Sequence, residues 1–318
     1  MVDLADIQAA ADAIEGAVVR TPLLPVPWDL ELFVKPESLQ PVGSFKLRGA
    51  TNAIARLDAD RRERGVVTHS SGNHGQALAW AARAAGAPCT VVIPEGAPKI
   101  KIDAVRSFGA DVVLVPPGAR ESTARELADR YGFTMIPPYD HRDIIAGQGT
   151  VGLEIVADLP DVGVVLVPVG GGGLSSGVST AVKALRPGTA VIGVEPALAP
   201  DARESFDRGE LVPLTDEQRY LTIADGLRTS LSALTLAHLR AHLYAIVSVT
   251  EDEIAEATSR LIRETRLVVE PSGAVATAAR LFHRDELPAG RTVAVISGGN
   301  LDPSLLVGYA AGRTSPQS

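Results

Sequence analysis

Four consecutive glycines, Gly170 to Gly173, constrain the fold of this 318-residue chain more than any other feature. They follow an apolar run over residues 164–167 and precede Leu174, where small residues begin a predicted helix. Glycine tolerates positive φ, so neighbouring amides can converge, and the helix adds its unpaired first-turn N–H groups. The pattern predicts a phosphate cradle made of backbone amides, because a flexible loop, the alternative, is not expected between a buried strand and a helix. It matches neither the dinucleotide fingerprint nor the P-loop.

The rest of the chain alternates between short β-branched runs and helical patterns, which predicts an α/β fold with mostly parallel sheets covered by helices. Strands are predicted at residues 66–69, 90–93, 112–115, 164–168, 190–194, 245–249 and 292–296. Helices are predicted at about residues 75–85, 98–109, 121–131, 143–157, 175–186, 251–266 and 272–283.

A break in this rhythm near Pro137-Pro138-Tyr139 predicts two lobes. We expect a small lobe over residues 54–140, inserted into a large lobe of residues 1–53 and 141–318. Ligands of open α/β sheets bind beyond the carboxyl ends of the strands. Three polar or glycine-rich segments, residues 69–75, 170–173 and 297–300, follow predicted strands and mark the candidate site.

Composition and charge exclude several classes of protein. The net charge is −8 with no basic cluster, so we expect no nucleic-acid partner. No apolar run approaches about 18 residues, and Asp3 and Asp6 stand where a signal peptide needs positive charge, so no membrane segment or export is expected. Cys89 is the single cysteine and is expected to be buried. These features predict a cytoplasmic enzyme.

Lys46 is the second decisive residue, because it follows a turn and opens a predicted helix. The helix dipole and desolvation both lower the pKa of an amine there, as an amine that attacks a carbonyl requires. The alternative is an exposed lysine extending from the helix surface. A phosphate cradle, a lysine in an apolar setting and no metal-ligand spacing together suggest pyridoxal 5′-phosphate as cofactor.

Four spaced motifs, residues 44–50, 70–75, 170–173 and 297–300, resemble those of the fold-type II pyridoxal-phosphate enzymes, whose fold is tryptophan synthase β-like. The resemblance is strongest to the branch of serine/threonine dehydratases and serine racemases, and residues 145–150 and 223–226 match that branch as well. It extends from about Arg20 to Asp302.

The resemblance implies a role for each motif residue. Lys46 would form the internal aldimine and later remove the substrate α-proton. The other implied cofactor contacts are Phe45 beside the pyridine ring, Asn73 at the 3′-oxygen, Gly170, Gly171, Gly172, Gly173 and the amide of Leu174 at the phosphate, and Ser297 at the pyridine nitrogen. A hydroxyl there does not stabilise a pyridinium as an aspartate would, which favours β-elimination over transamination. Read alone, residues 297–299 could be a turn.

The resemblance also implies a substrate site. The loop of Ser70, Ser71, Gly72, Asn73 and His74 would grip the α-carboxylate, and Ser71 would reprotonate the α-carbon on the face opposite Lys46 in a racemase. A structural, hydrogen-bonded role is the alternative for His74. Arg120 would meet a second carboxylate, unless it is a solvated arginine at a helix start, and Thr229 would lie near the substrate.

Glu195 and Asp201 flank a proline-containing loop and would suit a hard divalent cation. By resemblance, Mg²⁺, Ca²⁺ or Mn²⁺ would bind Glu195, the Ala199 carbonyl and Asp201; the alternative is two solvated acids. The nucleotide site of the eukaryotic racemases is incomplete, since Pro41 and Val42 replace a Lys-Thr pair although Gln76 and Lys101 agree. ATP activation is therefore not expected.

The leading functional hypothesis is an ammonia-lyase that removes water from L-threonine or L-serine. The alternatives are a racemase of serine or aspartate, a dehydratase of 3-hydroxyaspartate or another β-hydroxy amino acid, and a binding module without catalysis, against which Lys46 argues. A small-molecule amino acid is the expected substrate and a homodimer the expected assembly. The chain ends soon after residues 297–300, so no regulatory domain or isoleucine feedback is expected.

Overall fold

Two open β-sheets form the framework of the chain in the computed structural model, which describes residues 1–70 and 72–313. Six strands in the order β1-β2-β10-β7-β8-β9 form the larger sheet, and four in the order β5-β4-β3-β6 form the smaller. The strands are β1 (Leu24–Val26), β2 (Asp29–Pro36), β3 (Val66–His69), β4 (Cys89–Pro94), β5 (Asp111–Val115), β6 (Thr134–Met135), β7 (Val164–Pro168), β8 (Ala190–Pro196), β9 (Ala245–Val249) and β10 (Thr292–Ile296).

In the described part of the chain, every strand pairing is parallel except that of β1 with β2. Strands β7 and β10 are buried along their whole length and consist almost entirely of valine and other apolar residues. A strand covered on both faces shows a continuous apolar run of this kind, rather than an alternating one. Both strands lie inside the larger sheet, and the glycine loop follows the carboxyl end of β7.

Helices cover the sheets. They are α1 (Leu4–Ile14), α2 (Lys46–Ala55), α3 (Ala59–Arg64), α4 (Asn73–Ala84), α5 (Lys99–Ser107), α6 (Arg120–Tyr131), α7 (Arg142–Asp158), α8 (Gly173–Leu185), α9 (Asp201–Arg208), α10 (Asp216–Arg219), α11 (Ala233–His242), α12 (Glu251–Thr265), α13 (Pro271–Phe282) and α14 (Pro303–Ala310). Short 3-10 helices span Glu37–Leu39, Asp225–Leu227 and Arg284–Glu286. Among the helices of residues 1–70 and 72–313, none combines the length and apolar character that crossing a bilayer requires.

The predicted fold class is confirmed. All seven predicted strands and all seven predicted helices are present, with ends that differ by at most about two residues. Strands β1, β2 and β6 were not predicted, because β1 and β6 have only three and two residues and β2 carries two exposed residues, Leu30 and Glu31. The lobe boundaries stay a prediction. The strands of the small sheet lie within residues 66–135, while α2 packs its buried Leu47, Ala50 and Ile54 into the same apolar cluster as that sheet.

Candidate active site

A cavity of about 390 Å³ lies beyond the carboxyl ends of strands from both sheets. The motif segments from both sheets meet in its wall. All the predicted cofactor and substrate residues within the described part of the chain line it: Phe45, Lys46, Ser70, Gly72, Asn73, His74, Arg120, Gly170, Gly171, Gly172, Gly173, Leu174, Thr229 and Ser297. Motifs that are distant in the sequence, at residues 44–50, 70–75, 170–173 and 297–300, therefore contribute residues to the wall of one cavity. Ser71 lies outside the described residues.

The glycine loop connects β7 to the buried N-terminus of α8. Gly172 caps α8 in the left-handed region, at φ 85° and ψ −1°. The first N–H groups of a helix have no intrahelical acceptor. Here the first residues of α8, Gly173 and Leu174, line the cavity. Such a terminus favours an anion through both its N–H groups and its dipole. The loop can hold a phosphate without a charged side chain.

Close packing, rather than repeated positive φ, explains the other three glycines. Within the loop only Gly172 has a positive φ. A Cβ on Gly171 would lie 2.4 Å from Cδ1 of Tyr139, and one on Gly173 would lie 2.9 Å from Cβ of the same tyrosine. Tyr139, which was not predicted as a site residue, is thus packed against the loop.

Lys46 begins α2 and is half-buried in the cavity wall. Its Nζ donates a hydrogen bond to the carbonyl of Pro138 at 2.6 Å and lies 5.1 Å from the centroid of the Phe45 ring. Burial lowers the pKa of Lys46 from its ordinary value to about 8. A backbone carbonyl and a ring stabilise an ammonium group less than a carboxylate does, so the amine is readily deprotonated.

Ser297 follows β10 and is buried at the edge of the cavity. Its Oγ lies 3.3 Å from the carbonyl oxygen of Ser272, a long contact from which a hydroxyl can rotate. Its own carbonyl accepts the N–H of Phe45 at 3.0 Å. This bond joins the segment of Ser297 directly to the segment that carries Lys46.

Asn73 opens α4 and joins the two sheets through hydrogen bonds. Its Nδ2 donates to Oε1 of Glu270 at 2.7 Å, and its Oδ1 accepts from Nδ2 of Asn300 at 2.7 Å. Glu270 is buried and also lines the cavity. Burial and the nearby Asp225 raise the pKa of Glu270 to about 7. The sequence did not predict Glu270, since nothing in its local pattern distinguishes it from an ordinary helix cap.

The side chains of Ser70 and His74, near the start of α4, both form hydrogen bonds with backbone groups of the protein. Ser70 Oγ accepts the N–H of Gly72 at 3.2 Å, which holds the turn. His74 is 2% exposed, and its Nε2 lies 3.0 Å from the carbonyl oxygen of Ile136. Burial and the neighbouring Lys46 lower the pKa of His74 to about 3, so the ring is neutral. This geometry supports the structural interpretation of the His74 side chain.

Two arginines contribute positive charge to the cavity. Arg120 begins α6 and Arg219 ends α10, so they reach the cavity from separate elements. Arg219 also donates from its guanidinium to the carbonyl of Arg228 at 3.0 Å. Thr229 packs on the glycine loop, since a Cβ on Gly170 would lie 3.3 Å from its Oγ1. Arg219 was not predicted, and only the folded chain brings it to the site.

The candidate metal residues lie apart from this cavity, at the turn between β8 and α9. Glu195 accepts the N–H groups of Ala202 and Arg203 and therefore caps α9. Burial raises the pKa of Glu195 to about 8 and that of Asp201 to about 7. Oδ2 of Asp201 is buried and has no hydrogen-bond partner among the residues that the structure describes. Among the described residues, no group of three His, Cys, Asp or Glu side chains is arranged to hold a metal.

Comparison with known proteins matches the chain to its relatives over nearly its full length. The model of the family described as pyridoxal-phosphate dependent enzyme matches residues 14–298. L-threo-3-hydroxyaspartate ammonia-lyase of Saccharomyces cerevisiae is 37% identical over 305 residues, which cover 93% of each chain. L-threonine ammonia-lyase of Thermotoga maritima is 40% identical, over 96% of this chain and 77% of that one.

Comparison with solved structures finds similar folds in the same group of enzymes. The crystal structure of serine racemase from Dictyostelium discoideum has a TM-score of 0.87 and 39% identity, covering 95% of this chain and 99% of that one. The crystal structure of a threonine deaminase from T.th. has a TM-score of 0.89 and 42% identity, covering 94% and 99%. With a lysine and a glycine loop facing one cavity, this chain belongs to the fold-type II pyridoxal-phosphate-dependent enzymes, in the group of ammonia-lyases and serine racemases.

Proposed function

We propose that this protein removes water from L-threonine and L-serine, releasing ammonia and a 2-oxo acid. The observation that carries the proposal is Lys46, a half-buried amine with a lowered pKa that lies in the same cavity as the glycine loop. Pyridoxal phosphate, when bound, supplies a ring that withdraws electrons from the substrate α-carbon. The residues of this chain would hold that ring and move the protons.

The cavity suits the cofactor at both of its ends. The glycine loop presents backbone rather than side chains, which fits a phosphate dianion. Lys46 would hold the aldehyde end, with Phe45 beside the ring and Asn73 at its ring oxygen. Because cofactor and substrate share a cavity of about 390 Å³, the site favours a small amino acid.

Lys46 would also act as the base at the α-carbon. With a pKa of about 8, a substantial fraction of the amine is neutral just above neutral pH and can accept a proton at Nζ. The amides at the N-terminus of α4, over residues 72–74, would bind the substrate carboxylate. Ser297 would meet the pyridine nitrogen with a neutral hydroxyl, which favours prompt loss of the β-hydroxyl group.

The experiment is a substrate screen of the holoenzyme. Release of 2-oxo acid is measured with L-threonine, L-serine and L-threo-3-hydroxyaspartate and with their D-isomers, and D-serine formation is followed by chiral chromatography. We expect kcat/KM to be greatest for L-threonine and L-serine. Formation of D-serine without 2-oxo acid would replace the proposal with racemisation, in which Ser71 would be the second acid.

A dehydratase of 3-hydroxyaspartate is the second candidate. Arg120 supports it, because its guanidinium lines the cavity and could pair with a β-carboxylate. If so, Arg120→Ala should lower kcat/KM for L-threo-3-hydroxyaspartate by about tenfold or more while changing that for L-threonine little. Equal losses for both substrates would assign Arg120 a structural role.

We further propose that a divalent cation, Mg²⁺, Ca²⁺ or Mn²⁺, binds Glu195, the Ala199 carbonyl and Asp201. Two buried carboxylates with raised pKa values and one unpartnered oxygen are the arrangement that a hard cation would stabilise. The cation would order the turn before α9, at a distance from the reacting atoms.

We also propose that the protein is a homodimer. Ile100 on α5 and Leu305 and Val307 on α14 expose between 46% and 63% of their surface, and Ile100 and Leu305 line a groove of about 680 Å³ beside the active site. Sedimentation velocity should give twice the chain mass, and Leu305→Asp should shift the protein towards the monomer.

A further inference from the structure

The amide of Asn73 has its orientation determined by its neighbours. An ionised carboxylate only accepts, so Oε1 of Glu270 pairs with Nδ2 of Asn73, at 2.7 Å. Oδ1 of Asn73 accepts from Asn300, whose Nδ2 also donates to the carbonyl of Val42 at 2.8 Å. One Nδ2 hydrogen of Asn73 is left over, so towards the cavity Asn73 acts as a donor.

The fold makes room for this contact at Gly298. A Cβ there would lie 2.4 Å from Oε1 of Glu270 and 3.2 Å from Nδ2 of Asn73. The N–H of Glu270 in turn donates to the carbonyl of Gly298 at 3.1 Å. The two side chains are therefore confined together, and a bulkier residue at position 298 would separate them.

The contact also joins the two sheets at the site. Asn73 stands at the start of α4, which follows β3 of the small sheet, while Glu270 precedes α13, which packs on the large one. Asp225 and Lys101 are charged groups that act on Glu270, and they pair with each other. Glu270 is thus a buried carboxylate that accepts a side-chain hydrogen bond from a helix of the opposite sheet.

We propose that Glu270 is a positioning residue: its carboxylate fixes the Asn73 amide so that Asn73 can only donate a hydrogen bond to the anionic ring oxygen of the cofactor. The inference rests on the proposed function, in which Asn73 contacts that oxygen. Glu270 acts through Asn73. An amide in place of the carboxylate could donate as well as accept, so only the hydrogen bond from Asn300 would still fix the orientation of the Asn73 amide.

The test is a double-mutant cycle on cofactor affinity. Apoenzyme of the parent, Glu270→Gln, Asn73→Ala and the double variant is titrated with pyridoxal phosphate by equilibrium dialysis at pH 8, where Glu270 is mostly ionised. Glu270→Gln should weaken binding by about tenfold, as expected for a charged hydrogen bond. In the Asn73→Ala background, the same change should have no further effect.

The control is Glu251→Gln, which alters another carboxylate that accepts a backbone N–H, from Ile223 at 2.6 Å, and should leave affinity unchanged. Affinity of Glu270→Gln within twofold of the parent, or losses that multiply in the double variant, would overturn the inference. If Glu270→Gln fails to fold, Gly298→Ala replaces it and should show the same loss and the same dependence on Asn73. A parent that binds no pyridoxal phosphate would instead refute the proposed function itself.

Discussion

Helix α2 carries a buried arginine and a half-buried lysine that differ in their partners. The guanidinium of Arg48 bonds to Glu37 at 2.7 and 2.8 Å and to Glu154 at 2.7 and 2.9 Å, and these carboxylates raise its pKa. Lys46, two residues earlier, bonds to a carbonyl, and no carboxylate of the described residues pairs with it. Arg48 is therefore permanently charged, whereas the amine of Lys46 is readily deprotonated.

Ser297 permits a test of the reaction type at the scale of one residue. Ser297→Asp would place a carboxylate at the proposed position of the pyridine nitrogen and hold that nitrogen protonated. Elimination should then slow by about tenfold relative to exchange of the substrate α-proton, a change of ~1.4 kcal/mol in the relative barriers. The measurement compares deuterium exchange with 2-oxo acid release, with Ser297→Ala as control; an unchanged ratio would show that Ser297 does not face the nitrogen.

At the scale of elements, the glycine loop is held between its own helix and the chain segment that contains Pro138 and Tyr139. The carbonyl of Pro138 contacts Lys46, and the ring of Tyr139 covers Gly171. One short segment thus contacts both elements that would bind the cofactor. A displacement of this segment would therefore disturb both the glycine loop and Lys46.

Gly171→Ala tests this packing. The added Cβ would lie 2.4 Å from Tyr139, so the loop or the ring must move. We expect a loss of about 1–3 kcal/mol in the free energy of unfolding, together with weaker cofactor binding. Urea denaturation measures the first quantity. Gly188→Ala is the matched control, because a Cβ there meets nothing within 4 Å; equal effects of the two changes would contradict the account.

The turn between β8 and α9 gives a pH-dependent prediction. Burial raises the pKa values of Glu195 and Asp201 to about 8 and about 7, above the values near 4 of an unfolded chain. Without metal, the folded state binds more protons than the unfolded state between about pH 4 and pH 8, so stability falls as pH rises across this window. A bound cation would reverse this pH dependence of stability, because the cation binds the ionised carboxylates.

The measurement is Tm with EDTA and with Mg²⁺, Ca²⁺ or Mn²⁺ at pH 6 and pH 8. The increase in Tm on adding the cation should be larger at pH 8 and should vanish in Glu195→Gln. Glu204→Gln, which alters a carboxylate on the surface of α9 that pairs with Arg208, should retain it. If EDTA leaves Tm unchanged at both pH values, the two carboxylates serve only the fold.

At the scale of the whole molecule, features made of contiguous residues could be predicted, whereas those made of residues that meet only in the fold could not. Runs such as residues 164–168 and 292–296 are contiguous and apolar, so their strands and the loops after them could be located. Tyr139, Arg219 and Glu270 reach the cavity from separate elements and carry no local motif. Their roles depend on contacts between residues distant in sequence, which periodicity does not encode.

The central claim is that Lys46 is the amine through which this protein binds its cofactor and acts on amino acids. The most direct measurement compares Lys46→Ala with Lys99→Ala, whose lysine is exposed on α5, for the visible absorbance of protein-bound cofactor and for 2-oxo acid release from L-threonine. The account predicts that Lys46→Ala loses both and that Lys99→Ala keeps both. A Lys46→Ala variant that retains the absorbance and the turnover would contradict it.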